Sequence, residues 1–182
     1  MSVNEEQKRV YRNEAEQWRA ERDQFFGEHY ASPLSDDVMA VFPGLSYFDI
    51  DERLVFRVVM KGPPEPTIGI DASTGSYSEY PIAGVIDVPF AEGVVSLVAL
   101  RGEEDGEAFI PFRDATSGDQ SYGAGRYVSV EIGSDGTCVV DFNRAINPYC
   151  AYDPDFSCPL PPRQNWLDHP IAAGERDFVP PA

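Results

Sequence analysis

Arg113, Asp114, Thr116, Tyr122 and Arg126 fall in one short polar stretch, "RDATSGDQSYGAGR", and Asn143 and Asn147 follow the next apolar run. Two guanidiniums with amide and hydroxyl donors suit a carboxylate or a phosphate, because arginine offers a planar bidentate fork. The same residues allow a plainer use, in which Arg113 and Arg126 pair with Asp114 and Asp141 and brace a loop. They also allow an enzyme, a hydrolase or isomerase working through Asp114 or Tyr122 with Arg126. A second candidate is Cys150 with Cys158, in "INPYCAYDPDFSCPLPP". Their spacing is not that of a zinc site, and His29 and His169 are the only histidines, so no metal is expected. The pair permits a disulfide, worth about 2.5 kcal/mol if unstrained, or two buried free thiols, which a reducing compartment favours. Cys150 as a nucleophile would need a base such as His169 with Asp168, and nothing in the spacing supports that pairing. Cys138 alternates with Val140 and Phe142 and reads as core.

These groups must be positioned by the elements around them. Residues 3–26 carry Tyr11, Ala15, Trp18 and Phe25 at helical spacing, with Ser2 and Glu5 as a capping box and Gly27 as the stop. "SPLSDDVMAVFPGL" predicts one short helical turn with Ser35 as its N-cap. After Leu45 the period changes. "LSYFDI", "LVFRVVM", "PTIGID", "YSEYPIAGVIDVPF", "VVSLVAL", "EAFIPF", "RYVSVEI" and "TCVVDF" are short apolar runs separated by turn signals. Leu54, Phe56, Val58 and Met60 share one strand face, and "GSDG" predicts a hairpin tip at 133–136. No helical run interrupts the series, so parallel units are not expected. The fold class predicted is mainly β: an antiparallel meander forming a barrel or sandwich, with one long N-terminal α-helix packed on it or plugging one end. One domain is expected over 1–182: helix to 27, β core over 45–143, and a proline-rich wrap over 144–182. Asn147-Pro148, Pro159, Pro161 and Pro162 fix φ, so this loop holds one shape without ladder hydrogen bonds. A regular hairpin would bring Arg126, Arg113 and Asn143 together at one barrel end, beneath it.

The pieces "FRDATSG", "SYGAGRY", "DFNRAINPYCAY", "CPLPPRQN" and "IAAGE", in that order, resemble a bacterial and archaeal family known as domain of unknown function 1684. The opening "YRNEAEQWRAERD" and "FPGLSYFDID" resemble that family's first helix and first strand, so the likeness covers most of the chain. It resembles a short form, without the additional module that many relatives carry between those two elements. The resemblance implies no established reaction.

Composition narrows the function classes. The chain has 31 acids against 14 bases, a net charge of -17, and lysine only at positions 8 and 61. Scattered carboxylates suit a cytoplasm at molar salt, where the Debye length is about 3 Å and self-repulsion is screened. Such a surface repels phosphate backbones, so neither nucleic acid nor anionic membrane is an expected partner. No apolar run is long enough to span a bilayer, and the charged N-terminus lacks a signal-peptide core, so a cytoplasmic protein is expected. The expected function is binding of a small polar or anionic molecule at one end of the barrel, without a cofactor. The enzyme above and a protein-interaction module are the alternatives.

Overall fold

The computed structural model describes residues 5–181. Helix α1 spans Glu5–Glu28 and α2 is the single turn Asp36–Met39. Seven strands follow: β1 Val55–Lys61, β2 Thr67–Asp71, β3 Tyr77–Phe90, β4 Gly93–Arg101, β5 Glu107–Phe112, β6 Arg126–Glu131 and β7 Thr137–Asp141. Every pairing between them is antiparallel, in the order β6-β5-β4-β3-β1-β7, with β2 added to β3. The path curls into a nearly closed barrel filled by Ile86, Val88, Leu97, Ile110, Phe112, Val128, Val140 and Phe142. Strand β3 serves twice: its first part pairs with β2 and its second with β4. The β2 flap covers a second apolar cluster of Ile70, Ile82, Val98 and Leu100. This is why Leu97–Leu100 are all buried and read as an unbroken apolar run instead of an alternating one.

The predicted runs match the strands closely, with three differences. "LSYFDI" forms only an isolated bridge, Tyr47 to Glu175. The helix runs through Gly27 to Glu28, and the Ser2 side of the capping box lies outside the described residues. The turn at 133–136 forms, with the Gly136 N–H donating to the Gly133 carbonyl at 2.8 Å, yet no ladder joins β6 to β7. Asp135 takes the Thr137 N–H at 2.9 Å, a donor that a continuous hairpin would send across the strands. β7 bonds to β1 instead, and β6 and β7 flank the barrel's seam. Past the end of β7 the chain closes that seam, where Tyr127 and Ile146 exchange hydrogen bonds of 2.8 and 2.9 Å.

The segment after Arg163 lies along the barrel with alternate residues turned inward, Gln164, Trp166, Asp168, Pro170 and Ala172 being exposed. Asn165, Leu167, His169, Ile171, Ala173 and Glu175 are all buried. The reason starts at Pro111. Beyond the Leu100–Phe109 pair, the next step of the β4–β5 ladder would match Val98 with Pro111, which has no N–H to give. Asn165 fills the place: its Oδ1 accepts from the Val98 N–H at 2.8 Å, and its Nδ2 donates to the Val98 and Pro111 carbonyls at 2.8 and 2.7 Å. Leu167 then bonds to Arg113, which carries the tail onward along the barrel end.

Candidate functional site

Arg126 opens β6 and points into the barrel end, where it has no solvent exposure. Its Nη2 donates to Asp114 Oδ2 and to the Ile171 carbonyl, both at 2.8 Å. Its Nη1 donates to the carbonyls of Ala173 and of Glu175, the latter at 3.0 Å. The guanidinium also lies over the Phe112 ring, 5.1 Å from its centroid. Burial pulls its pKa down and Asp114 pulls the other way. Asp114 Oδ1 accepts from the Thr116 and Ile171 N–H groups at 2.7 and 3.2 Å, and the Thr116 hydroxyl meets Ser121 at 2.8 Å. Two glycines permit this closeness. Gly125 has φ +105°, and a Cβ there would sit 2.5 Å from the Phe112 carbonyl oxygen. Gly174 has φ +75°, and its Cβ would lie 2.6 Å from the Ala145 oxygen. These are the glycines of "SYGAGRY" and "IAAGE".

The other predicted residues share this end of the barrel without facing one space. Asn143 is buried and bridges Asp51 and Asp141, donating to the Asp51 carbonyl at 2.8 Å. Asn147 donates its N–H to Glu175 Oε2 at 2.7 Å and its amide to the Arg176 carbonyl at 2.8 Å. Arg113 stacks on Trp166 at 4.5 Å, and Arg163 meets the same ring at 3.9 Å. Trp166 in turn donates to the Pro161 carbonyl at 3.0 Å, and the Pro162 carbonyl accepts from Asn165 N–H at 2.8 Å. Tyr122 donates to the Cys150 carbonyl at 3.2 Å and reaches its sulfur at 3.8 Å.

Cys150 and Cys158 are buried free thiols. The influence of Cys158 foremost, with Ser73 and Tyr122, outweighs burial and holds the Cys150 pKa down at about 6. Cys158 is pushed the opposite way by its bond to Cys150 and by burial. His169 is elsewhere: its ring packs on Phe90 at 4.8 Å, and its nitrogens face Glu92 and Asp168. No histidine is among the partners of Cys150. Cys138 is buried in the core, as its strand position implies. Among the described residues, no cluster of metal-ligating side chains occurs.

Glu175, Arg22 and Arg19 were not singled out by sequence. Glu175 is fully buried and accepts from Arg22, from Asn147 N–H and from Tyr152 Oη at 2.6 Å. Burial opposes the Arg22 charge, but Glu175 outweighs it and leaves the pKa above the ordinary arginine value. Trp18 and Arg22 stand one turn apart on α1 and line a cleft of about 670 Å³ with Tyr127, Ser129, Arg144 and Ile146. No protein acceptor reaches Arg22 Nη2, Arg19 Nε or Nη2, although all three atoms are buried. Arg19 lies over the Tyr47 ring at 4.6 Å, and Tyr47 Oη is likewise without a partner. The signal for this site was present as an arginine on the apolar stripe of the helix, and as a lone acid after "IAAG".

The fold and its end network thus define a small antiparallel barrel whose 165–175 segment turns alternate side chains into its interior. The family model for a protein of unknown function, DUF1684, matches residues 40–176, and the chain belongs to that family. The solution structure of an uncharacterised protein from Haloarcula marismortui is similar to it. That structure has a TM-score of 0.72 and 35% identity over 95% of this chain and 97% of the other. No curated protein matches the chain. Among the described residues, no helix is long and apolar enough to cross a membrane.

Proposed function

We propose that the protein binds a small polar or anionic molecule in the cleft between α1 and β6, which runs along β6 from Tyr127 to Glu131. The observation that carries this reading is Arg22, a residue of the cleft wall whose buried Nη2 has no protein acceptor in a chain with an excess of carboxylates. An unpaired buried donor costs about 1–3 kcal/mol, and a carboxylate or phosphate would satisfy it. Arg22, Arg101 and Arg144 supply positive charge along a cleft wall that also carries Glu103, Glu107 and Glu131, and Trp18 supplies an aromatic face. Arg144 is exposed, 3.6 Å from Asp141 and 5.9 Å from the Trp18 ring. Arg126, by contrast, has its donors engaged by four protein acceptors and acts in this reading as the brace of the site.

The acidic composition and the Haloarcula relative support a working environment of high salt in the cytoplasm. There, long-range repulsion of an anion by the net charge is screened within about 3 Å at 1 M salt. Neither nucleic acid nor an anionic membrane suits the same surface. The test uses Trp18 as the reporter. A Trp166→Phe protein is titrated with inorganic phosphate, pyrophosphate and succinate at constant ionic strength. Saturable quenching of Trp18 by at least one anion is expected, weakened at least tenfold by Arg144→Gln. Fluorescence unchanged by all three, in both dilute and molar KCl, removes the proposal.

A further inference from the structure

The geometry points to Cys150 and Cys158 as a peroxide-reactive dithiol, in which Cys150 is the attacking sulfur and Cys158 the resolving one. This rests on the proline-rich loop and is independent of the cleft. The chain between the two cysteines doubles back on itself. Asp153 N–H donates to the Tyr149 carbonyl at 3.0 Å, Phe156 N–H to the Asp153 carbonyl at 3.2 Å, and the Tyr149 and Phe156 rings meet at 5.2 Å. Each thiol is thereby the foremost hydrogen-bonding influence on the other. The β2–β3 turn holds them there: Ser73 Oγ accepts from Cys158 N–H at 3.1 Å and donates to the Phe156 carbonyl at 3.1 Å, and Ser73 N–H donates to the Cys158 carbonyl at 2.9 Å.

The surroundings of Cys150 favour a thiolate by hydrogen bonding. The Tyr122 hydroxyl lies 3.8 Å from its sulfur, and Cys158 adds the foremost hydrogen-bonding influence on it. The remaining ionisable neighbours are the Tyr127 phenol, kept neutral by burial, and Asp177 beyond Tyr122. Both cysteines retain about 9% of their surface. Cys138 is different in each respect: it has no hydroxyl or thiol partner, and burial alone raises its pKa.

The chemistry balances with a peroxide as oxidant. Cys150 thiolate attacks one peroxide oxygen, the O–O bond breaks, and Cys150 becomes a sulfenic acid while hydroxide leaves. The Cys158 sulfur then attacks the sulfenic sulfur. The S–S bond forms, the S–O bond breaks, and the Cys158 proton leaves with the oxygen as water. A small thiol reductant reverses the step by exchange, taking the two electrons' worth of oxidation onto itself.

The experiment exposes the full-length protein to a few equivalents of hydrogen peroxide, then alkylates it under denaturing conditions and maps the peptides. The expected product is a peptide cross-linked between Cys150 and Cys158, with Cys138 alkylated. In Cys158→Ser, dimedone should label Cys150, and in Tyr122→Phe the wild-type reaction should slow several-fold. The rate should rise with pH through a midpoint near the Cys150 value of about 6. Absence of the cross-link in the wild-type protein overturns the proposal, whatever the variants do. So does a cross-link or oxidation that involves Cys138 equally, or over-oxidation of Cys150 with no disulfide.

Discussion

At the scale of single residues, Arg126 is the most constrained group in the barrel. A fully buried guanidinium is tolerated because Asp114 and three carbonyls receive it. Arg126→Ala orphans all four acceptors. We expect a loss of about 3–5 kcal/mol, measured by urea unfolding. Arg126→Met with Asp114→Leu should recover part of it, because both charges leave together, although the Thr116 and Ile171 N–H groups then lose their acceptor. A double variant no more stable than Arg126→Ala would mean that the charge pair is not the source of the loss. The sequence showed Arg126, Asp114 and Thr116 as one polar cluster because they sit close together along the chain. It did not show the partners of Arg126 in the tail. Those are backbone carbonyls of Ile171, Ala173 and Glu175, and a carbonyl has no letter in a sequence. Glu175 was hidden for a related reason: an acid among so many acids looks like surface, and only its burial reveals a hub.

At the scale of elements, the strands were legible because their edges are marked by Gly, Pro and Asp turns and their faces by alternation. Pairing was less so. "GSDG" does form its turn, but the ladder expected beside it is replaced by a seam, since local turn chemistry sets the reversal without fixing what lies beyond it. Pro111 shows the converse. A proline inside an apolar run reads as a blemish in a strand, and here it opens a gap into which Asn165 inserts. Replacing Asn165 by Leu keeps the volume and removes every hydrogen bond to Val98 and Pro111. We expect a cost of about 3 kcal/mol, from several buried polar groups left unpaired at 1–3 kcal/mol each. Hydrogen exchange of the Val98 amide should speed up more than that of Ile86, which lies deep in the β3–β4 ladder. Equal protection of Val98 in both proteins would show that the strands close without the asparagine.

At the scale of the whole molecule, charge decides how the fold responds to its solvent. Self-repulsion from a net charge of -17 is relieved as salt shortens the Debye length. The melting temperature should therefore rise steeply between about 0.1 M and 2 M KCl. A flat profile would remove the halophilic reading. Alkali probes the opposite side. Tyr11, Tyr47, Tyr127 and Tyr152 all have raised pKa values, with burial the largest cause. A phenol whose folded pKa is raised contributes stability that is complete below its unfolded value of about 10 and is lost as pH climbs above it. Stability should thus fall steeply above pH ~10, with tyrosinate absorbance appearing together with unfolding. Free titration of the phenols in a folded protein would contradict their burial.

The inward-turned tail also dictates an order of events. Neither the β4–β5 gap, nor the guanidinium of Arg126, nor the salt bridge of Arg22 on the opening helix can be completed before residues 165–175 exist. These contacts join positions far apart along the chain, a topology that folds slowly. On a ribosome adding about 5–20 residues per second, all the strands are made before any of those partners has emerged. The barrel is therefore synthesised unsealed and locked last, from its far end. Its vulnerable moment is the interval between making the last strand and releasing the tail, when the β4–β5 gap stands open to neighbouring chains.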